Sequence, residues 1–202
     1  MNPWLTKNAS GLFMSKTSND LHEMPEEVLE GDRVVLAFLD DEDSEELLYL
    51  VDSSREELDV SLPWVESFLE MGDAYSSISA YKMQRDMANG GAFGIRRIED
   101  GALLGEVILQ WIDWKNRSVS FGYFLGSEFW GEGYATEAVK LALDYVRRLG
   151  MHRVEISAAV ENKRSCDLAK RLGFEQEGVA KDAEFLHGKW HDIARFARII
   201  PN

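Results

Sequence analysis

Residues 129–136 read Phe129-Trp130-Gly131-Glu132-Gly133-Tyr134-Ala135-Thr136. Before them, Val119, Phe121, Tyr123 and Leu125 alternate as on one face of a strand. After them, Ala135, Ala138, Val139, Ala142, Val146 and Leu149 recur at helical spacing, and Gly150 sits where a helix C-cap belongs. The stretch is a strand-to-helix turn carrying two glycines. Glycine lets backbone N–H groups approach a ligand with no side chain between. A helix N-terminus adds unpaired donors and positive partial charge. Such a loop is either a plain tight turn or a cradle for a pyrophosphate. A P-loop needs Gly-Lys-Ser/Thr at its end, and no lysine is present. A dinucleotide fingerprint needs a third glycine where Thr136 stands.

Upstream of the loop, residues 92–98, 104–112 and 118–125 read as three strands. Turns at Glu99-Asp100-Gly101 and at residues 113–116 join them into an antiparallel meander. A meander also argues against the first strand of a βαβ unit. Earlier still, Val34, Val35, Leu36 and Phe38 predict a strand after Gly31. Asp43 or Ser44 caps a helix through Leu47, Leu48, Leu50 and Val51. Helical stretches follow near 64–71 and 74–89, the second closed by Asn89-Gly90-Gly91. Downstream, residues 153–160 read as a strand, and Asn162 caps a short helix ended by Gly173. Strands at 174–180 and 193–200 complete the chain. This is one mixed α/β (α+β) domain over residues 25–202. Residues 1–24 lack periodicity and are expected to form a flexible N-terminal arm.

Composition limits the function. The 202 residues carry 22 Lys+Arg against 36 Asp+Glu, a net charge of −14. That balance argues against nucleic acid, whose phosphates would be repelled. A single cysteine excludes an internal disulfide and multi-thiolate metal sites. No apolar run is long enough for a membrane span, and the N-terminus lacks a signal peptide's apolar core. A cytoplasmic protein is the expectation. Residues 20–66 hold seventeen acids but only Arg33 and Arg55. That segment is either a solvated face or the border of a site for a cationic substrate.

The segment Trp130-x-x-Gly133-x-Ala135 resembles the acetyl-CoA pyrophosphate motif of the GNAT N-acetyltransferases, usually Gln/Arg-x-x-Gly-x-Gly/Ala, with Trp130 departing at the first position. Glu161-Asn162 and Leu172-Gly173-Phe174 resemble the second half of that family's core. The closest resemblance is to the bacterial ribosomal-protein-serine N-terminal acetyltransferases. Ser61-Leu62-Pro63-Trp64, Gly122-Tyr123-Phe124-Leu125, Ser165 and Ala183-Glu184-Phe185-Leu186-His187-Gly188 carry it.

The resemblance implies a GNAT fold, with a mostly antiparallel sheet of about seven strands flanked by helices. It implies acetyl-CoA as cosubstrate, no metal, and direct attack of an amine on the thioester. Two neighbouring strands would splay apart, and the backbone near Phe124 and Leu125 would pair with the pantetheine arm. The Leu125 N–H would polarise the thioester carbonyl. Residues Trp130, Gly131, Glu132, Gly133, Tyr134, Ala135 and Thr136 would take the pyrophosphate, and Asn162 the pantetheine.

Many relatives place a glutamate base where this chain has Ser120. Glu184 matches the acid of the serine-type relatives and is the candidate base, the alternative being a surface ion pair. Glu106 is a further candidate. The family's usual acid, a tyrosine, is replaced by Ala169, leaving Ser165 to relay a proton to the thiolate or simply to bond the helix terminus. Trp64, Glu106 and Trp111 are candidate acceptor contacts. Cys166 reads as core. His187 and His191 have helical metal spacing in a segment that does not read as helix. The acceptor is expected to be a protein N-terminus or, alternatively, a small amine such as an antibiotic, toxin or polyamine; a non-catalytic acetyl-CoA-binding module is the remaining alternative. The resemblance also suggests a homodimer.

Overall fold

The computed structural model describes residues 5–7, 13–15 and 22–201. Within the expected arm, Leu5–Lys7 (β1) and Phe13–Ser15 (β2) pair antiparallel, and the remainder up to residue 21 lies outside the described residues. From His22 onward the chain is tied to the body. His22 stacks on Trp114 at 4.1 Å, Met24 is buried in the core, and the Tyr145 hydroxyl donates to the Pro25 carbonyl at 3.2 Å.

The main sheet has eight strands, one more than the roughly seven expected: β3 (Leu29–Glu30), β4 (Val34–Phe38), β5 (Gly91–Arg97), β6 (Leu103–Asp113), β7 (Ser118–Leu125), β8 (Arg153–Ala159), β9 (Glu175–Leu186) and β10 (Lys189–Ile199). The extra strand is β3, two residues long, which no periodicity could reveal. The order is β3-β4-β5-β6-β7-β8-β10-β9, and only β7–β8 is parallel. The expected meander is β5-β6-β7.

On one face lie α4 (Tyr134–Arg148) and α5 (Lys163–Arg171), over a core that includes Phe93, Phe121, Tyr145 and Phe196. The opposite face carries α1 (Ser44–Ser53), α2 (Arg55–Asp59) and α3 (Met71–Asp86), over Leu47, Leu50, Phe68, Ile78 and Phe124. Both C-caps expected from glycine are present. Gly150 has φ 82° and Gly173 φ 76°. Each closes its helix with paired Schellman bonds: Gly150 N–H to Arg147 O and Met151 N–H to Val146 O, then Gly173 N–H to Lys170 O and Phe174 N–H to Ala169 O.

Four local expectations are corrected or refined. The 64–71 stretch is a short 3₁₀ turn, Pro63–Ser67, because proline at its start and too few residues leave no room for a helix. The helix α2 was not anticipated. Asp43 stands at the N-cap of α1, as expected, but makes no side-chain cap bond there; the capping carboxylate is that of Asp40, which accepts from Asp41 N–H at the head of the preceding 3₁₀ turn Asp41–Asp43. Phe174 precedes β9, which runs on to Leu186 and turns at His187-Gly188 into β10. An edge strand exposed on both faces shows no alternation to read.

Candidate active site

The sheet opens where the site should be. β7 and β8 pair from Ser118–Arg153 to Phe121–Ile156, and there the ladder stops. Residues 122–125 of β7 continue beyond it with no strand on that side. Gly126 N–H donates to Leu104 O, so by strand alternation Phe124 also turns its backbone toward β6. A Cβ on Gly105 would lie 2.0 Å from the Phe124 carbonyl oxygen, consistent with that orientation. Tyr123 and Leu125 therefore turn their N–H groups into the cleft. The Leu125 carbonyl accepts from the Trp130 indole N–H at 2.9 Å, leaving its N–H for a ligand. Phe124 instead supplies a ring, packed on Trp64 at 5.3 Å.

At the cleft's mouth stands the glycine loop. Gly131 and Gly133 both have φ 86°, the left-handed region. Gly133 precedes α4 and offers no side-chain cap, so the N–H groups of the first turn stay available. The loop is anchored by Arg33, which sequence reading left unassigned. Its guanidinium donates to the Glu132 carbonyl at 2.9 Å and to Glu137 Oε2 at 3.2 Å, and lies over the Tyr134 ring at 4.8 Å. Glu137 Oε1 in turn accepts from the backbone N–H groups of Arg33 and Val34. Those bonds hold the Glu137 carboxyl below its usual range against the opposing effect of burial. Two further cations flank the loop. Arg164 lies over the Trp130 ring at 4.2 Å, and Arg171 donates to Thr136 Oγ1 at 3.4 Å. Left-handed glycines, helix N–H groups and arginines suit a pyrophosphate. The only signal for the arginines is their charge, since Arg33 lies about a hundred residues away in sequence.

At the far rim Asn162 caps α5, its Oδ1 accepting from Ser165 N–H at 3.1 Å and its Nδ2 donating to Ser61 Oγ at 3.3 Å. The Ser165 hydroxyl does not bond the helix terminus. It meets the Tyr123 hydroxyl at 2.8 Å. A phenol thus stands beside Ser165 although Ala169 occupies the usual tyrosine position. Burial pushes the Tyr123 phenol up to about 12, while the Ser165 bond opposes that rise, so Tyr123 keeps its proton near neutrality.

Glu184 lies on β9 opposite His191 on β10 and is half-buried. The hairpin tip is held by His187 Nε2, 2.8 Å from the Asp59 carbonyl, while His191 Nδ1 lies 3.8 Å from Glu161. The two histidines thus engage different partners, and no group of metal-ligating side chains occurs among the described residues. Cys166 is buried, as expected. Trp111 is 63% exposed on β6 and Trp190 is 61% exposed, so neither lines the cavity described next.

Trp64 and Glu106 do come together. With Leu47, Ser67, Phe68, Asp73, Ser76, Ser77 and Tyr81 they line a cavity of about 370 Å³. Glu106 faces it from the regular part of β6, opposite Gly94 and Phe124. Burial alone pushes the Glu106 carboxyl up to about 8.

That shift has a stability consequence. The unfolded carboxyl ionises near 4.3, the folded one near 8. Its contribution is complete below the lower value and is lost as pH rises through the upper. From pH 5 to 9 the wild type is expected to lose on the order of a few kcal/mol that Glu106→Gln retains. Paired thermal melts across that range check this. Parallel curves would mean Glu106 is already ionised in the folded protein at neutral pH.

Comparison with known proteins gives the family. Residues 33–175 match the Acetyltransferase (GNAT) domain family. The chain is 40% identical over 82 residues to the [ribosomal protein uS5]-alanine N-acetyltransferase of Escherichia coli, covering 40% of this chain and 42% of that one. Its structure resembles RimL, the ribosomal L7/L12 alpha-N-protein acetyltransferase, in complex with coenzyme A: TM-score 0.82, 25% identity, 86% of this chain and 98% of that one. It also resembles the microcin C7 self-immunity acetyltransferase MccE in complex with acetyl-CoA and AMP: TM-score 0.80, 27% identity, 84% and 94% covered. The chain therefore belongs to the GNAT family, as an acetyl-CoA-dependent N-acetyltransferase.

Proposed function

We propose that the enzyme acetylates the N-terminal α-amine of a protein, a ribosomal protein in the first instance. The observation that carries this reading is the shared fold and sequence with enzymes named for uS5 alanine and L7/L12 α-amine acetylation. In this reading the chain's own groups act as follows. The glycine loop and its arginines hold the pyrophosphate, and Asn162 stands at the pantetheine. The Leu125 N–H holds the thioester oxygen as charge builds on it. Glu184 takes the amine proton, directly or through water. The amine nitrogen forms the amide bond, the C–S bond breaks, and Ser165 with Tyr123 delivers a proton to the sulfur. Positioning supplies most of the rate gain.

An α-amine suits a lightly equipped site. Its ordinary pKa is about 7.7–8.0, against about 10.4 for lysine, so a large neutral fraction exists near pH 8. Thiol release from acetyl-CoA with Ser- and Ala-starting peptides, polyamines and aminoglycosides tests the reading. N-terminal peptides are expected to be the best acceptors; a preference for polyamines or aminoglycosides would replace it with small-amine acetylation. The similarity to MccE, a self-immunity enzyme, supports that second reading.

The acidic segment gives a further expectation. Part of it is neutralised: Arg96 bonds Asp43 at 2.5 Å and Glu46 at 2.8 Å, and Lys82 bonds Asp40 at 2.8 Å. Glu42, Glu45, Glu56, Glu57 and Glu66 remain exposed on the α1–α2 side. Screening acts over a length of about 10 Å at 0.1 M salt. The KM of a basic peptide is expected to rise between low and moderate salt more than that of a neutral one. Equal responses would make the segment a solvated face only.

A further inference from the structure

Glu106 is 2% exposed, and among the described residues no side chain or backbone donor bonds its carboxyl. It faces the 370 Å³ cavity. A buried polar group without a partner costs free energy, and one facing a cavity marks a place where a ligand can supply the partner. The neighbours do not meet that need. From α3, the Tyr81 hydroxyl stands near Ser77 and Glu106 without a hydrogen bond to the carboxyl, and Asp73 accepts from the backbone N–H groups of Leu69 and Glu70. From α1 and the 3₁₀ turn come Leu47 and Trp64, and beyond the turn Phe68. No lysine or arginine lines the space.

The walls restrict what fits. An anion would meet Glu106 and Asp73. An apolar group would leave the Glu106 carboxyl unpaired. A cation on an apolar stem satisfies both the carboxyl and the aromatic rings, which attract cations through their faces. The volume lies near the lower limit for ligand pockets, so it suits a side chain or a small amine and not a length of peptide. Exposed Ser67 and Ser76 mark the mouth. The cavity also sits beside the reaction centre. Glu106 pairs across the ladder with Phe124, the residue before Leu125, and Trp64 packs on the Phe124 ring.

We propose that the Glu106 cavity is an acceptor subsite for an alkylammonium group, its stem against Leu47, Trp64, Phe68 and Tyr81 and its ammonium on the Glu106 carboxyl. This rests on reading the enzyme as an amine acetyltransferase whose acceptor enters on the α1–α3 face. The ammonium is distinct from the reacting amine. In a polypeptide it is a lysine side chain near the N-terminus, and in a small diamine it is the second amino group.

Two measurements on the full-length chain test it. In the first, the Glu106 side-chain carboxyl is followed by carbon NMR at pH 7 during titration with 1,4-diaminobutane and with 1-pentanol. Its resonance, assigned by its loss in Glu106→Gln, is expected to move toward the ionised position with the diamine and stay fixed with the alcohol. In the second, KM is compared for Ser-Lys-Ala-Ala and Ser-Leu-Ala-Ala. Wild type is expected to favour the lysine peptide at least tenfold and Glu106→Gln to lose that preference, with acetyl-CoA affinity equal in both proteins. A response to the diamine with no peptide preference assigns the subsite to small diamines. A carboxyl indifferent to both the diamine and the lysine peptide overturns the proposal. If no peptide is acetylated, the N-terminal reading fails, while the NMR titration still decides the subsite.

Discussion

Glu184→Gln is expected to lower turnover by roughly 10²–10⁴-fold, the usual range for loss of a general base. Glu184 stands on β9 opposite His191, in the hairpin whose tip His187 fixes to Asp59. Glutamine keeps the size and removes the proton acceptor, so the loss is one of chemistry. An α-amine is already substantially neutral near pH 8, whereas a lysine amine is not. The variant is therefore expected to recover much of its activity on an N-terminal peptide at high pH and little on a polyamine. Acetyl-CoA affinity, read by calorimetry, stays unchanged because Glu184 lies outside the glycine loop. Near-wild-type turnover at pH 7 would remove Glu184 from the mechanism and send the proton to Glu106 or bulk water.

Gly133→Val is expected to weaken acetyl-CoA binding by about 2 kcal/mol or more, roughly thirtyfold. Gly133 sits at φ 86°, and a Cβ there would lie 3.3 Å from the Arg33 guanidinium that anchors the loop. A branched residue is disfavoured in this conformation, so some stability is lost as well. Gly150→Val separates the two effects. Gly150 has φ 82° and nothing within 4 Å of its would-be Cβ, and it lies at the opposite end of α4. Both variants are expected to lower Tm, but only Gly133→Val to lower acetyl-CoA affinity in calorimetry. Equal affinities would mean the loop does not hold the pyrophosphate.

The extent to which the sequence foretold these features follows the range of the interactions. The meander, α4, α5 and their caps were legible because each depends on neighbours within a few residues: alternation in β7, the 3.6-residue period in α4, glycine after each helix. The glycine loop was legible for the same reason. The 3₁₀ turn at Pro63–Ser67, the two-residue strand β3 and the doubly exposed strand β9 were not, since none carries a period long enough to read.

Within the site, sequence alone nominated Leu125, the loop, Asn162, Ser165, Glu184, Trp64, Glu106 and Trp111, and resemblance supplied most of the roles. It could not tell that Trp111 faces solvent or that the Phe124 backbone turns toward β6. Only the tertiary structure brought Arg33 to the Glu132 carbonyl, Tyr123 to Ser165, and Arg164 over Trp130. These contacts join elements 34 to 99 residues apart, and no local pattern encodes them. The burial of Glu106 is the clearest instance. Helices cover β6 on both faces, so a carboxyl that its charge would send to the surface lies instead in a cavity walled by Trp64 and Tyr81.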